Sequence, residues 1–291
     1  MNEILNVVIN NQALAISIIY IYSAFIVSFS NVVIYRLPIM INFEYAQLIK
    51  SYIKHEDADV EKAYNSGLNL GLSKPNSRCD NCLSEIKLYN NIPVISYLIN
   101  RGCCVSCGVK YSKTHFLTEL LMPLMPVFLY VIYGSTMQFV FSSILFFISY
   151  IIIRIDFNHK IIPNQLIIAL AFLILSIGVT DSATINIKQS LINVAVTYVI
   201  LNIFYKLINI KYSFGYGDVK LLIVLSALFG LHTFVFLLLF ASIVGIIEIL
   251  IVKKILYNDE SDELAFGPSI MFSTIFFYIL ERSDYAHLIP I

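Results

Sequence analysis

Two aspartates and four cysteines hold most of the chemistry that this sequence can do. Asp156 lies in Ile155-Asp156-Phe157-Asn158-His159-Lys160-Ile161-Ile162-Pro163-Asn164, and Asp218 in Gly215-Tyr216-Gly217-Asp218-Val219-Lys220. Two carboxylates held close together cannot both ionise easily, so one keeps a proton. The ionised partner can draw a proton from water while the protonated one polarises a scissile carbonyl. That is hydrolysis without a metal. The alternative is two interfacial aspartates that cap helix ends or pair with Arg154 and Lys220. The choice turns on whether the fold brings the two carboxylates together.

All five cysteines lie in one polar segment. Cys79-Asp80-Asn81-Cys82 and Cys104-Val105-Ser106-Cys107 are separated by 21 residues. Each C-x-x-C places two sulfurs on a tight turn, and tetrahedral Zn²⁺ needs two such pairs. Cys103 is the spare, because register with the first pair selects Cys104. Disulfides or scattered free thiols are the alternative, and the reducing cytoplasm inferred below argues against disulfides. A zinc site would let a loop-rich insert fold without a large core.

The elements that must position these groups are membrane helices. The chain is 58% hydrophobic and 13% charged, against about 25% charged in a soluble domain. Apolar runs occur at 13–35, 116–133, 136–155, 161–180, 190–209, 219–231, 232–252 and 264–281. Most approach the roughly 17–25 residues that a span needs, and 219–231 is short. The expected fold is an all-α polytopic membrane protein with about eight transmembrane helices and a zinc-binding insert. It divides into a first helix at 1–35, an insert at 36–115 and a seven-helix catalytic region at 116–291. No basic residue precedes the first run, so a permanent helix is expected there and not a cleavable signal peptide.

Charge sets the orientation. With the N-terminus outside, 17 of the 19 Lys and Arg residues fall in the inside segments 36–115, 154–160, 206–220 and 253–263; Lys188 and Arg282 remain outside. Cytoplasmic segments carry such an excess. The insert is then cytoplasmic, and both aspartates sit at the cytoplasmic boundary although they come from different spans. The insert opens with a helical-looking stretch at 42–63 that holds Glu56, Asp57, Asp59 and Glu61, and no internal repeat is evident. Zero net charge gives no reason to expect a nucleic-acid partner.

Other ionisable residues near spans are candidates by their cost alone. Glu119 is placed to support the site or the insert. Glu248 stays unassigned, and Lys220 is placed to meet lipid headgroups or modulate the carboxylates. No H-x-x-E-H, G-x-S-x-G or phosphate-binding loop is present, and no segment has a localisable S-adenosylmethionine signature. An ion transporter would need polar groups deep in several helices, whereas these spans are apolar at mid-depth. A zinc-binding scaffold would explain the cysteines and leave the aspartates idle.

The chain resembles the type IV prepilin peptidases of bacterial inner membranes over nearly its whole length. Ser28-Phe29-Ser30-Asn31-Val32-Val33-Ile34-Tyr35-Arg36-Leu37-Pro38 is similar to the family's first-helix signature. Asn76 to Cys79, Asn91-Ile92-Pro93-Val94-Ile95-Ser96-Tyr97-Leu98 and Arg101-Gly102-Cys103-Cys104 resemble its zinc loop. Leu117-Thr118-Glu119-Leu120-Leu121 is similar to its next helix start. Asp156 stands seven residues before Pro163, as in the family, and Gly215 to Asp218 matches its G-x-G-D motif. Phe266-Gly267-Pro268 resembles the motif at the last helix. The resemblance implies an aspartyl endopeptidase that cuts the short basic leader from type IV prepilins and type II secretion pseudopilins. The cut falls after a Gly and usually before a Phe, at the cytoplasmic edge of the membrane. It implies Asp156 and Asp218 as the catalytic pair and zinc on Cys79, Cys82, Cys104 and Cys107. It also implies N-methylation of the new terminus from S-adenosylmethionine. Two departures stand out: Asn158 replaces a frequent second aspartate, and Cys103 stands where a basic or polar residue is common.

Overall fold

The computed structural model describes residues 11–52, 65, 70–79, 81–180, 186–207, 215–250 and 265–282. These fall into two compact units, Met1–Phe139 and Val140–Ile291. Among the described residues the regular structure is helical apart from two isolated bridges, Arg78↔Glu85 and Cys103↔Lys110. Of the described helices, five are long and apolar enough to cross a membrane, and Asn164–Thr180 and Gly267–Glu281 are shorter apolar helices. The protein is therefore an all-α, multi-span membrane protein. The acidic run expected at 56–61 lies outside the described residues.

The first unit is built on α1, Gln12–Tyr52. The apolar run that ends at Tyr35 in the sequence continues here as one helix past Pro38, and part of the helical stretch expected from 42 belongs to the same element. Small buried residues Ser23, Ala24, Val27 and Ser30 form a stripe at helical spacing, while Ile21, Tyr22, Phe25 and Phe29 stay exposed. That pattern packs one face on protein and leaves the other to acyl chains. The stripe meets α3, Lys113–Leu121, and α4, Leu124–Tyr133. These two lie within one apolar run of 21 residues, Lys113–Tyr133, interrupted by a turn at Met122–Pro123. Pro123 and Pro126 lack the N–H groups that an unbroken helix needs there. Tyr20 donates its hydroxyl to Leu120 O at 3.0 Å, and Asn31 Nδ2 donates to Thr118 Oγ1 at 3.3 Å. Arg36 is buried and donates to the carbonyls of Gly71, Leu72 and Pro75 at 2.9, 3.3 and 2.7 Å, clamping the insert to α1. The short α-helix α2, Ile95–Ile99, precedes α3.

The second unit begins within α5, Met137–His159, and holds α6, Asn164–Thr180; α7, Ile187–Leu207; α8, Tyr216–Leu225; α9, Leu231–Glu248; and α10, Gly267–Glu281. The run expected at 219–231 becomes a helix of 10 residues followed by a non-helical stretch at 226–230. Irregular backbone at membrane depth survives only where protein satisfies it. Here α7 does so: Ser190 Oγ donates to Ala227 O at 2.8 Å and Asn193 Nδ2 to Phe229 O at 3.1 Å. Asn193 and Thr197 are buried on one face of α7, and Leu191, Val199, Ile203 and Phe204 are exposed on the rest. Helices α9 and α10 pack closely, because Gly245 lets Phe266 and Ser269 approach the α9 backbone.

Candidate active site

Asp156 lies near the end of α5, one turn before His159, and is 4% exposed. The helix closes when Lys160, in the left-handed region at φ 56, donates its N–H to Asp156 O at 2.8 Å. Pro163 then starts the next helix: its carbonyl accepts the N–H groups of Leu166 and Ile167 at 3.1 and 3.3 Å. Asp218 occupies the first turn of α8, with its N–H on Gly215 O at 3.0 Å, and is 9% exposed.

Each carboxylate faces the positive end of a helix, where orphan N–H groups favour negative charge. For Asp218 that helix is its own. For Asp156 it is α10, whose first residue Gly267 donates its N–H to Asp156 Oδ2 at 3.0 Å. The charge of Asp156 acts on Asp218, so the fold brings the two residues into one electrostatic site. Ile162 lies between the glycines that flank them: a Cβ on Gly217 would meet Ile162 Cβ at 3.2 Å, and one on Gly267 would meet Ile162 Cδ1 at 3.3 Å. Asp218 Oδ1 is buried with no hydrogen-bond partner among the described residues. A buried carboxyl oxygen left open in this way can receive a water or a substrate carbonyl.

The pairings weighed from sequence are not made among the described residues. Lys220 Nζ donates to Asn164 Oδ1 at 3.0 Å and stands 5.0 Å from the Tyr216 ring centroid. Arg154 Nε is buried without a partner among the described residues. Asn158 is exposed. Two groups that sequence reasoning left without a role join the site from α9 and α10. Glu248 Oε2 accepts from Ser269 Oγ at 3.1 Å, and the Glu248 charge acts on Asp156. Gly267 is the second: a Cβ there would lie 2.6 Å from Asp156 Oδ2, so only glycine admits this approach. The Phe266-Gly267-Pro268 motif was the signal available for it.

The cysteines form a separate cluster in the first unit. Cys79 N–H donates to Ser84 O and Leu83 N–H to Cys79 O, at 3.0 and 2.8 Å. Cys104 N–H donates to Val109 O and Gly108 N–H to Cys104 O, at 2.8 and 2.9 Å. The two knuckles are thus one structural unit used twice, a repeat that the sequence shows only as C-x-x-C. Cys103 takes the position of Arg78 before the first knuckle, and its Sγ donates to Arg101 O at 3.5 Å, outside the cluster.

Sγ atoms of Cys79, Cys82, Cys104 and Cys107 all lie within 4.8 Å of one another, with Cys79–Cys107 at 3.8 Å and Cys82–Cys104 at 3.9 Å. A tetrahedral ion with metal–sulfur bonds of about 2.3 Å requires sulfurs roughly 3.8 Å apart. The four cysteines therefore fit a metal ion. Backbone N–H groups of Cys107 and Ser106 hold the Cys104 thiol down to about 5, and the Ser84 hydroxyl lowers that of Cys82. Cys79 is pushed up to about 11: the Cys82 and Asn81 N–H groups pull it down, but burial and the adjoining thiols outweigh them. Thiols crowded this way resist full ionisation until a cation joins them. Burial and the hydrogen bond to Cys104 push the Tyr111 phenol up, which keeps it a donor to the thiolate.

Glu119 belongs to the first unit's framework. Its Oε2 accepts the Val94 N–H at 3.0 Å, and Tyr97 stacks on Phe116 with centroids 4.5 Å apart.

Residues 21–133 match the model described as the bacterial peptidase A24 N-terminal domain, and residues 139–250 match that of the type IV leader peptidase family. The chain is 32% identical to a prepilin leader peptidase/N-methyltransferase of Dichelobacter nodosus over 80% of its length and 82% of the relative's. It is 29% identical to one from Legionella pneumophila over 88% of both, and 30% identical to one from Stutzerimonas stutzeri over 83% and 82%. No solved structure gives a significant match.

Proposed function

Because the chain belongs to the type IV leader peptidase family, we propose that it cuts the leader from type IV prepilins and type II secretion pseudopilins and methylates the new N-terminus. Asp156 and Asp218 are the catalytic pair in this reading. What supports them most is that two buried carboxylates from different helices share one site, with one oxygen of Asp218 left open.

The geometry suggests a division of labour. Gly267 N–H on Asp156 Oδ2 steadies an ionised carboxylate. Asp156 then takes a proton from water, whose oxygen attacks the scissile carbonyl carbon. Protonated Asp218 donates to the carbonyl oxygen as the tetrahedral adduct forms. Collapse breaks the C–N bond, and the proton held on Asp156 passes to the leaving amine while Asp218 regains its own. Burial of both residues limits the number of waters that reach the pair.

Cys79, Cys82, Cys104 and Cys107 would hold Zn²⁺ as a structural ion in the insert at 36–115, and the membrane region at 116–291 would do the cutting. S-adenosylmethionine would supply the methyl group to the amine freed by the cut. Eight spans, with α8 and its following turn as the short one, set the N-terminus outside the bacterial inner membrane. They bring the insert and both aspartates to the cytoplasmic face, with membrane lipid around the helices. The excess of 17 basic residues on one side supports that orientation.

The test uses purified full-length enzyme in nanodiscs with a prepilin and S-adenosylmethionine, read by mass spectrometry of the product's N-terminus. The expected product starts just after the leader glycine and carries one added methyl group. An uncut prepilin rejects the proposal, and a cut but unmethylated product rejects its second half.

A further inference from the structure

We propose that the short helix α2 is a membrane-interface anchor, lying in the headgroup boundary of the leaflet on the insert's side. Ile95, Leu98 and Ile99 are 52%, 62% and 73% exposed. At spacings of three and four they form one apolar stripe on a helix. Tyr97 faces away from that stripe, toward Phe116. In water such a face would be an unexplained cost.

Depth comes from what holds α2 in place. Val94, just before it, donates its N–H to Glu119, and Tyr97 stacks on Phe116. Both partners lie inside the apolar run that begins at 116, and Glu119 is three residues into it. At 1.5 Å per residue that is about 4.5 Å past its start. An element tied there, with its apolar stripe turned outward, meets acyl chains. Amphipathic interfacial helices sink their apolar face about 5–10 Å into the same boundary.

The backbone is forced to achieve this. Val94 sits at φ 62, where a β-branched residue is rarely found, and Ile95 N–H reaches back to Pro93 O at 2.6 Å. The Glu119 carboxylate and the Tyr97–Phe116 stack hold that tight turn. Gly102, at φ +68, closes the other end, where a Cβ would lie 2.7 Å from Tyr97 Cζ. Charge agrees with the partner. From Ile86 to Thr118 the chain has four basic residues, Lys87, Arg101, Lys110 and Lys113, and no acidic one. All four are exposed, a pattern that suits anionic phospholipid.

The chain contains no Trp, so Ile99→Trp introduces a single indole. The full-length protein is reconstituted in vesicles of phosphatidylcholine and phosphatidylglycerol, with bromines placed on the acyl chains near the headgroup or near the bilayer centre. The expected emission is blue-shifted and loses about half its intensity to the shallow bromines, and less to the deep ones, as for a side chain about 5–10 Å into the boundary. Water-like emission quenched by acrylamide and untouched by either bromine overturns the proposal. So does blue-shifted emission insensitive to both, which would mean that protein covers the face. Leu98→Trp, on the same stripe, gives the same reading if I99W loses its fold.

Discussion

In the proposed mechanism Asp156 depends on a residue with no side chain. Gly267 N–H is the donor on Asp156, and a methyl group at that position would sit 2.6 Å from the accepting oxygen. Gly267→Ala must therefore push Asp156 aside or unwind the first turn of α10. A misplacement of about 1 Å can cost on the order of 10²-fold in rate, so kcat for prepilin cleavage should fall by about that much with KM little changed. Gly230→Ala, where an added Cβ meets nothing within 4 Å, should leave both constants alone. Steady-state kinetics on the two variants checks this. The types and neighbourhoods of Asp156 and Asp218 were legible in the sequence because charge is costly in a membrane span. The Gly267 contact was not, since it joins positions 111 apart and nothing local marks a backbone donor. Glu248 was visible as an expensive charge, but its bond to Ser269 depends on how α9 and α10 pack.

At the scale of elements, periodicity and length located the apolar segments but not their ends. The helix expected to stop at Tyr35 runs on through Pro38 to Tyr52, and the run at 116–133 breaks at Met122–Pro123. The run at 219–231, short for a span, yields a helix of only 10 residues. Its missing turns are replaced by side chains of α7, whose Asn193 and Ser190 carry no sequence mark of that task. The cysteine spacing, by contrast, picks out the four thiols that cluster, because each C-x-x-C specifies its own turn. Register alone separated Cys104 from Cys103, and the matching hydrogen bonds of the two knuckles account for it. Cys104→Ser should drop bound zinc from one ion per chain to a trace and lower the melting temperature. Cleavage should stay within about tenfold of the parent, since the proposed aspartate mechanism uses no metal. Metal analysis, thermal unfolding and prepilin cleavage measured on one preparation decide it. Loss of the cut in step with the metal would mean that the ion serves the peptidase itself.

For the molecule as a whole, charge asymmetry and apolar runs imply that two carboxylates from distant spans share one side of the membrane. Helix packing sets Ile162 between the glycines of the two helix starts beside them. Family membership adds the substrate class. The whole account depends on Asp156 and Asp218 acting together. The most direct measurement is cleavage of a prepilin by Asp156→Asn and Asp218→Asn proteins in nanodiscs, each checked for zinc content and melting temperature. Alongside it, methylation is measured on a prepilin already cut. Removing an essential acid or base costs about 10²–10⁴-fold; both variants should lose cleavage on that scale or beyond while methylating the pre-cut substrate normally. Cleavage at the parental rate by either folded variant would contradict the account.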